Sequence, residues 1–320
     1  MVSLAELESA AQIVYRSMPP TPQYSWPLVN QRAGAEIWVK HENHTPVGAF
    51  KVRGGLVYMD WLAREHPEVK AVISATRGNH GQSLAFAGKA KGIAVTIVVP
   101  KQNGTEKNAA MRALGAELIV NGDDFQEAAE FAEELADSRG QHRVPSFHLL
   151  LVRGVGTYAL EFFRAAPPLD AVYVPVGMGS GICGMVAARD ALGLKTRIIG
   201  VASSGAPAIA LSFLKKSVVP HAVTTVLADG MACRLPDANA LQIMLGGVER
   251  FVQVSEQEVA GAMKALYEDT HNVAEGAGAA SLAAILQEKE QVAGKRIGCV
   301  ISGANAGRQQ MADVLEGQAN

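Results

Sequence analysis

A lysine acts as a nucleophile or a base only when it has lost its proton, and one lysine of this chain stands where burial could remove it. In His44-Thr45-Pro46-Val47-Gly48-Ala49-Phe50-Lys51-Val52-Arg53-Gly54-Gly55, Lys51 lies between an aromatic residue and an Arg-Gly-Gly turn, in a segment otherwise poor in charge. Apolar surroundings favour the neutral amine and lower its pKa. A lysine opening a surface helix would have the same neighbours, so spacing alone leaves both readings open.

Three further segments could serve such an amine. Ser74-Ala75-Thr76-Arg77-Gly78-Asn79-His80-Gly81-Gln82 follows a β-branched run and opens a helical pattern. A strand-to-helix turn of small residues exposes backbone N–H groups to an anion such as a substrate carboxylate, or is simply a capped βα loop. Pro175-Val176-Gly177-Met178-Gly179-Ser180-Gly181 has the same placement, with glycines alternating so that a phosphate could approach bare backbone. A dinucleotide site would want an acidic residue at the end of the next strand. That strand ends Gly200-Val201-Ala202-Ser203-Ser204 without one, which favours a monophosphate. Cys299-Val300-Ile301-Ser302-Gly303-Ala304-Asn305 is a strand running out into a hydroxyl and a glycine turn.

The elements that must position these groups alternate. Strands are expected at 72–74, 94–99, 117–120, 171–175, 197–201, 251–254 and 297–301. Helices are expected at 78–91, 106–114, 123–139, 179–192 and about 278–289, with one more opened by a capping box of Ser255 and Glu258. This alternation predicts an α/β fold with parallel sheets flanked by helices. In such sheets ligands sit beyond the carboxyl ends of the strands, where Ser74, Gly177 and Ser302 all fall. The compact βα units between residues 70 and 146 suggest a small domain inserted in a larger one made of 1–69 and 147–320.

Bulk properties exclude several classes. The 320 residues carry a net charge of −2, with no basic block longer than Lys215-Lys216, which argues against a nucleic-acid partner. No apolar run approaches a membrane span, and the amphipathic N-terminus, with Glu6 and Glu8, does not read as a signal peptide. Cys183, Cys233 and Cys299 are too dispersed for a zinc site or a disulfide framework and fit a cytoplasmic protein. His41 and His44 lack further ligands for a metal and are expected in a loop. Met231 and Cys233 are candidates either to line a pocket or to fill core.

Taken together and in order, the four segments resemble the serine/threonine dehydratase family of fold-type II pyridoxal 5'-phosphate (PLP) enzymes, related to serine racemase and catabolic threonine dehydratase. The resemblance runs over nearly the whole chain. It implies two open twisted, mostly parallel sheets and a PLP Schiff base on Lys51, with Phe50 beside the ring. It places Thr76, Arg77, Gly78, Asn79 and His80 around the substrate carboxylate, with Asn79 also touching the cofactor's phenolic oxygen. Gly177, Met178, Gly179, Ser180 and Gly181 would form the phosphate cup, Ser302 would meet the pyridine nitrogen and Glu275 would lie near the ring. Asp229-Gly230 would form a turn flanking the cofactor. The implied reaction is β-elimination: Lys51 takes the α-proton, the β-hydroxyl leaves, and hydrolysis gives a 2-oxo acid and ammonia. A small-molecule amino acid such as threonine or serine is the expected substrate, and a homodimer the expected assembly. Dehydratases of 3-hydroxyaspartate or phenylserine, a racemase and a β-replacement synthase are the alternatives on the same fold.

The sequence departs from the family at three places. Arg77 stands where the racemase branch has a serine base; arginine stays protonated and is a poor base. It could bind a second acidic group or hold the loop through an ion pair. Val201-Ala202-Ser203 and Ala208 replace the carboxylates of the family's divalent-cation site, so no metal is expected there. The chain ends at Asn320, soon after the Ser302 strand, so no regulatory domain and no isoleucine feedback are expected.

Overall fold

The computed structural model describes residues 2–318. Its first part comprises α1 (Leu4–Val14), β1 (Gln23–Ser25), α2 (Pro27–Ala33), β2 (Glu36–His41) and α3 (Lys51–Glu65). Then follow β3 (Ala71–Ala75), α4 (Asn79–Lys91), β4 (Ala94–Val99), α5 (Thr105–Ala113), β5 (Glu117–Val120), α6 (Phe125–Arg139) and β6 (His142–Arg143). The long helix α7 (Leu149–Ala165) leads to β7 (Ala171–Pro175), α8 (Ser180–Ala191), β8 (Arg197–Ser203), α9 (Ala208–Lys215), α10 (Ala238–Gly247) and β9 (Arg250–Val254). The last elements are α11 (Glu256–Thr270), α12 (Gly276–Gln287), α13 (Lys289–Val292), β10 (Arg296–Ile301) and α14 (Arg308–Glu316).

Two sheets result. One has six strands in the order β1-β2-β10-β7-β8-β9, with only β1 antiparallel to its neighbour; the other has the order β5-β4-β3-β6 and is parallel throughout. The apolar run Ala94–Val99 explains why β4 is internal: from Val95 onward every residue is buried, as helices on both faces require. The seven expected strands form within a residue or two of their predicted bounds, and Ser255 and Glu258 make the reciprocal cap that starts α11.

Helices cover both faces of each sheet. One face of the six-stranded sheet packs on α2, α11 and α12, the other on α7, α8 and α10. The four-stranded sheet packs on α4 and also on α3, whose Val52, Leu56 and Met59 share a cluster with Val72 and Ile97. Helix α3 thus carries Lys51 at its first residue, between the two sheets.

His41 differs from expectation: it is the last residue of β2, fully buried, with Trp26 Nε1 donating to its Nε2 at 3.0 Å and the His44 ring stacked on it. The strand continues through His41 because β10 pairs with it up to Ile301. Burial lowers its pKa to about 4, reinforced by His44. A histidine depressed in the folded state takes up its proton only on unfolding between pH 6.5 and 4, so stability must fall as pH drops through that window. A loss of about 3 kcal/mol is expected at pH 4 from this residue. Urea midpoints measured across this range should show it, with a shallower slope in His41→Gln.

Candidate active site

The carboxyl ends of β3, β7 and β10 converge on one cleft of about 810 Å³ between the two sheets. All fourteen residues expected around a cofactor and substrate line it: Phe50, Lys51, Thr76, Arg77, Gly78, Asn79, His80, Gly177, Met178, Gly179, Ser180, Gly181, Glu275 and Ser302. Met231 and Cys233 line it too.

Lys51 is anchored by its backbone. Phe50 N–H donates to Ser302 O at 3.0 Å, and Ser83 Oγ donates to Lys51 O at 2.6 Å. The start of α3 is thereby tied to the end of β10 and to α4. The Lys51 amine donates to Ser180 Oγ at 3.2 Å, and burial lowers its pKa to about 8. Phe50 packs edge-on against Tyr158, whose hydroxyl donates to Gly181 O at 3.3 Å.

In the turn after β7, Gly177 and Gly179 have no room for a side chain. A Cβ on Gly177 would lie 2.6 Å from Gly230 O, and Gly179 has φ +100°, a left-handed conformation that disfavours side chains. The first helical bond here is Cys183 N–H to Gly179 O at 3.0 Å, so the preceding N–H groups at the start of α8 open toward the cleft. Opposite, Thr76 Oγ1 accepts from Gly78 N–H at 3.0 Å and shapes the turn into α4. That helix closes its first bond at Gln82 N–H to Gly78 O, leaving the N–H groups of Asn79, His80 and Gly81 for an anion.

A hydrogen-bonded chain joins the two sides. Asn305 Nδ2 donates to Asn79 Oδ1 at 2.8 Å, Asn79 Nδ2 to Glu275 Oε1 at 2.5 Å, and Lys107 Nζ to Asp229 Oδ2 at 2.6 Å while lying 3.9 Å from Glu275 Oε2. Burial raises the Glu275 pKa against the opposing pull of Lys107. Lys107 went unnoticed in the sequence because it resembles any helical lysine, while Asn305 closes the Ser302 segment but had no role assigned to it. Ser302 Oγ itself has one long contact, 3.4 Å to Ala277 O, and so retains capacity for another partner.

Three buried polar atoms of the cleft have no partner: Arg77 Nε, His80 Nε2 and Glu275 Oε2. Burial and the Lys51 charge hold His80 neutral, its pKa lowered to about 3. Three unsatisfied polar atoms on residues that line one cavity mark a place where a polar ligand belongs. Arg77 makes no ion pair with any described residue, so the loop-holding role considered for it is not what the structure contains.

Residues 14–303 match the family model described as pyridoxal-phosphate dependent enzyme. The chain is 37% identical over 289 residues, 90% of its own length and 71% of the relative's, to the L-threonine ammonia-lyase of Geobacter sulfurreducens. It is 32% identical over 321 residues, covering 99% of itself and 92% of the relative, to the catabolic L-threonine dehydratase TdcB of Staphylococcus aureus. The solved structure of maize serine racemase superposes with a TM-score of 0.90 at 25% identity, covering 100% of this chain and 99% of that one.

Proposed function

Because the chain belongs to the family of pyridoxal-phosphate dependent enzymes, we propose that it is a carbon–nitrogen lyase that deaminates an L-β-hydroxy amino acid of the threonine or serine type by β-elimination. The observation that carries this reading is the pairing of a half-buried Lys51 amine of lowered pKa with Ser180 Oγ, 3.2 Å away at the mouth of the glycine turn, in one cleft with the free start of α4.

The residues present fit the cofactor. The cradle at Gly177 and Gly179 would be filled by any Cβ, which leaves its N–H groups to a phosphate. Ser302 Oγ stands within the same cleft for a ring nitrogen, as a neutral partner, and Asn79 and Glu275 supply polar contacts to the ring's edge. Bound PLP supplies the electron sink that makes the α-carbon acidic and lets a β-substituent depart. The chain's own residues do the rest. Lys51 would hold the cofactor, and its amine is the group placed to take the α-proton. The start of α4 fixes the substrate carboxylate, which aligns the α-hydrogen with that amine. Arg77 stays protonated and supplies no second base on the opposite face, which favours elimination over racemisation.

We place the enzyme in the cytoplasm, consistent with three free, buried cysteines. No described helix is long and apolar enough to cross a membrane. A dimer is the assembly that family resemblance suggests. Residues 70–146 form the smaller unit in this reading, with 1–69 and 147–320 as the larger one and α3 packing between them.

The test is release of ammonia and 2-oxo acid from L-threonine and L-serine by the purified holoenzyme, with chiral analysis of remaining substrate. Equal amounts of ammonia and 2-oxo acid are expected. Formation of D-amino acid without 2-oxo acid would overturn the lyase.

A further inference from the structure

Charges around the cleft are matched almost everywhere. Lys107 is bonded to Asp229, Arg143 pairs with Glu133, Arg234 lies 3.9 Å from Asp124, and Asp237 caps α10. Among the described arginines and lysines that line the cleft, only Arg77 and the Lys51 amine lack a carboxylate partner. The Arg77 Nε is buried without a partner, and no carboxylate among the described residues lies within ion-pair distance of its guanidinium. A guanidinium does not deprotonate in proteins, so half-buried Arg77 offers the cleft a positive charge that no described carboxylate neutralises.

A second, independent observation points the same way. His80, three residues along on the first turn of α4, is 7% exposed, lines the same cavity and leaves Nε2 unpartnered. The free N–H groups at the start of α4 are enough for one carboxylate, that of the amino acid itself. Arg77 is then free for another negative group on the same ligand.

We propose that Arg77 binds an acidic group on the substrate's side chain, so that the preferred substrate is a β-hydroxy amino acid with a second carboxylate, 3-hydroxyaspartate being the smallest. This assignment rests on the β-elimination reading and replaces its threonine- or serine-type side chain with an acidic one. The reaction balances without a further reagent. The α-proton is taken by Lys51 and one proton is given to the β-hydroxyl as the β-carbon–oxygen bond breaks, so that water leaves with no net proton change, and hydrolysis of the resulting enamine consumes one water and releases oxaloacetate and ammonia. Arg77 carries no proton in this sequence; it is a specificity residue.

The experiment compares calorimetric titrations of the holoenzyme with succinate and butyrate, which differ by one carboxylate, in wild type, Arg77→Lys and Arg77→Gln. The ratio of kcat/KM for 3-hydroxyaspartate to that for threonine is measured alongside. Succinate should bind wild type at least ~10-fold more tightly than butyrate, Arg77→Gln should erase that difference, and the kcat/KM ratio should fall ~100-fold, as loss of a charged hydrogen bond implies. Arg77→Lys should fall between. Equal binding of succinate and butyrate to wild type overturns the proposal, a result that does not depend on any variant folding. So does an Arg77→Gln protein in which both ligands weaken equally, since Arg77 would then hold the α-carboxylate. The elimination reading fails separately: succinate preference through Arg77 with no ammonia from any β-hydroxy amino acid would overturn that reading, and with it the named substrate, while leaving Arg77 as the binding residue for an acidic side chain.

Discussion

Lys51→Ala is expected to lower turnover on the order of 10⁴-fold or more, because one substitution removes both the cofactor's covalent anchor and the α-proton base. The visible absorption of the lysine-bound cofactor should disappear with it. Borohydride reduction of wild type should fix the cofactor on the peptide containing residue 51, and nothing should be fixed in the variant. An unchanged visible band in Lys51→Ala would mean that another lysine is the anchor. A pH dependence follows from the same geometry. With burial holding the free amine at about 8, the neutral fraction of Lys51 rises tenfold per pH unit below that value and levels above it. Recombination of apoenzyme with cofactor needs the neutral amine, so its rate should climb from pH 6 to 8 and then flatten. A surface lysine would keep climbing toward pH 10. The alternative left open by spacing, a solvated helix-opening lysine, is therefore separable by this single profile.

The alternation of strands and helices was legible because parallel strands covered on both faces read as short continuous apolar runs, as at Ala94–Val99 and Ala171–Pro175. The cleft was legible for a related reason. Each chemically useful turn follows such a strand directly, and Arg77, Gly177 and Ser302 needed only the rule that ligands gather at carboxyl ends. Helix α7 was not legible. Its residues Leu151 to Leu160 are nearly all buried, so only Arg153, Glu161 and Arg164 mark a narrow polar face, and Gly154 and Gly156 interrupt the pattern. The structure supplies the reason: α7 passes between α3 and α8, where a Cβ on Gly184 would lie 2.9 Å from Gly156 N. Lys107 and Asn305 were hidden differently. They meet Glu275 and Asn79 only when the two sheets face each other, at sequence separations that no local pattern carries. Arg77 is a mixed case: the sequence marks it as unusual, but only packing reveals that no carboxylate answers it.

Arg53, two residues after Lys51, has the largest stability effect expected of any single residue. Its guanidinium is fully buried and uses its donors on Glu42 (2.7 and 2.9 Å), Glu161 (2.6 and 2.9 Å) and Thr157 (3.0 Å). Lys40, also fully buried, adds a second cation at 2.6 Å from Glu161. Two cations and two carboxylates make the cluster neutral overall, and it joins β2, α3 and α7. Although burial disfavours the charged arginine, Glu42 and Glu161 more than offset it and raise its pKa. Arg53→Met removes one of the two cations and leaves Glu42 and Glu161 to share the single charge of Lys40, so a loss of about 3–5 kcal/mol is expected. Arg53→Lys restores the charge but not the fork that serves two carboxylates at once, and should recover only part of it. The discriminating variant is the double mutant Arg53→Met with Glu42→Gln. If an uncompensated carboxylate is the cause, neutralising it should return stability that Arg53→Met alone loses, and the two effects will not add. Additive losses in chemical denaturation would instead point to packing around the helix start. Since the first turn of α3 carries the catalytic amine, the same double mutant should also recover part of any turnover lost by Arg53→Met, because the ion cluster reaches Lys51 only through the position of that turn.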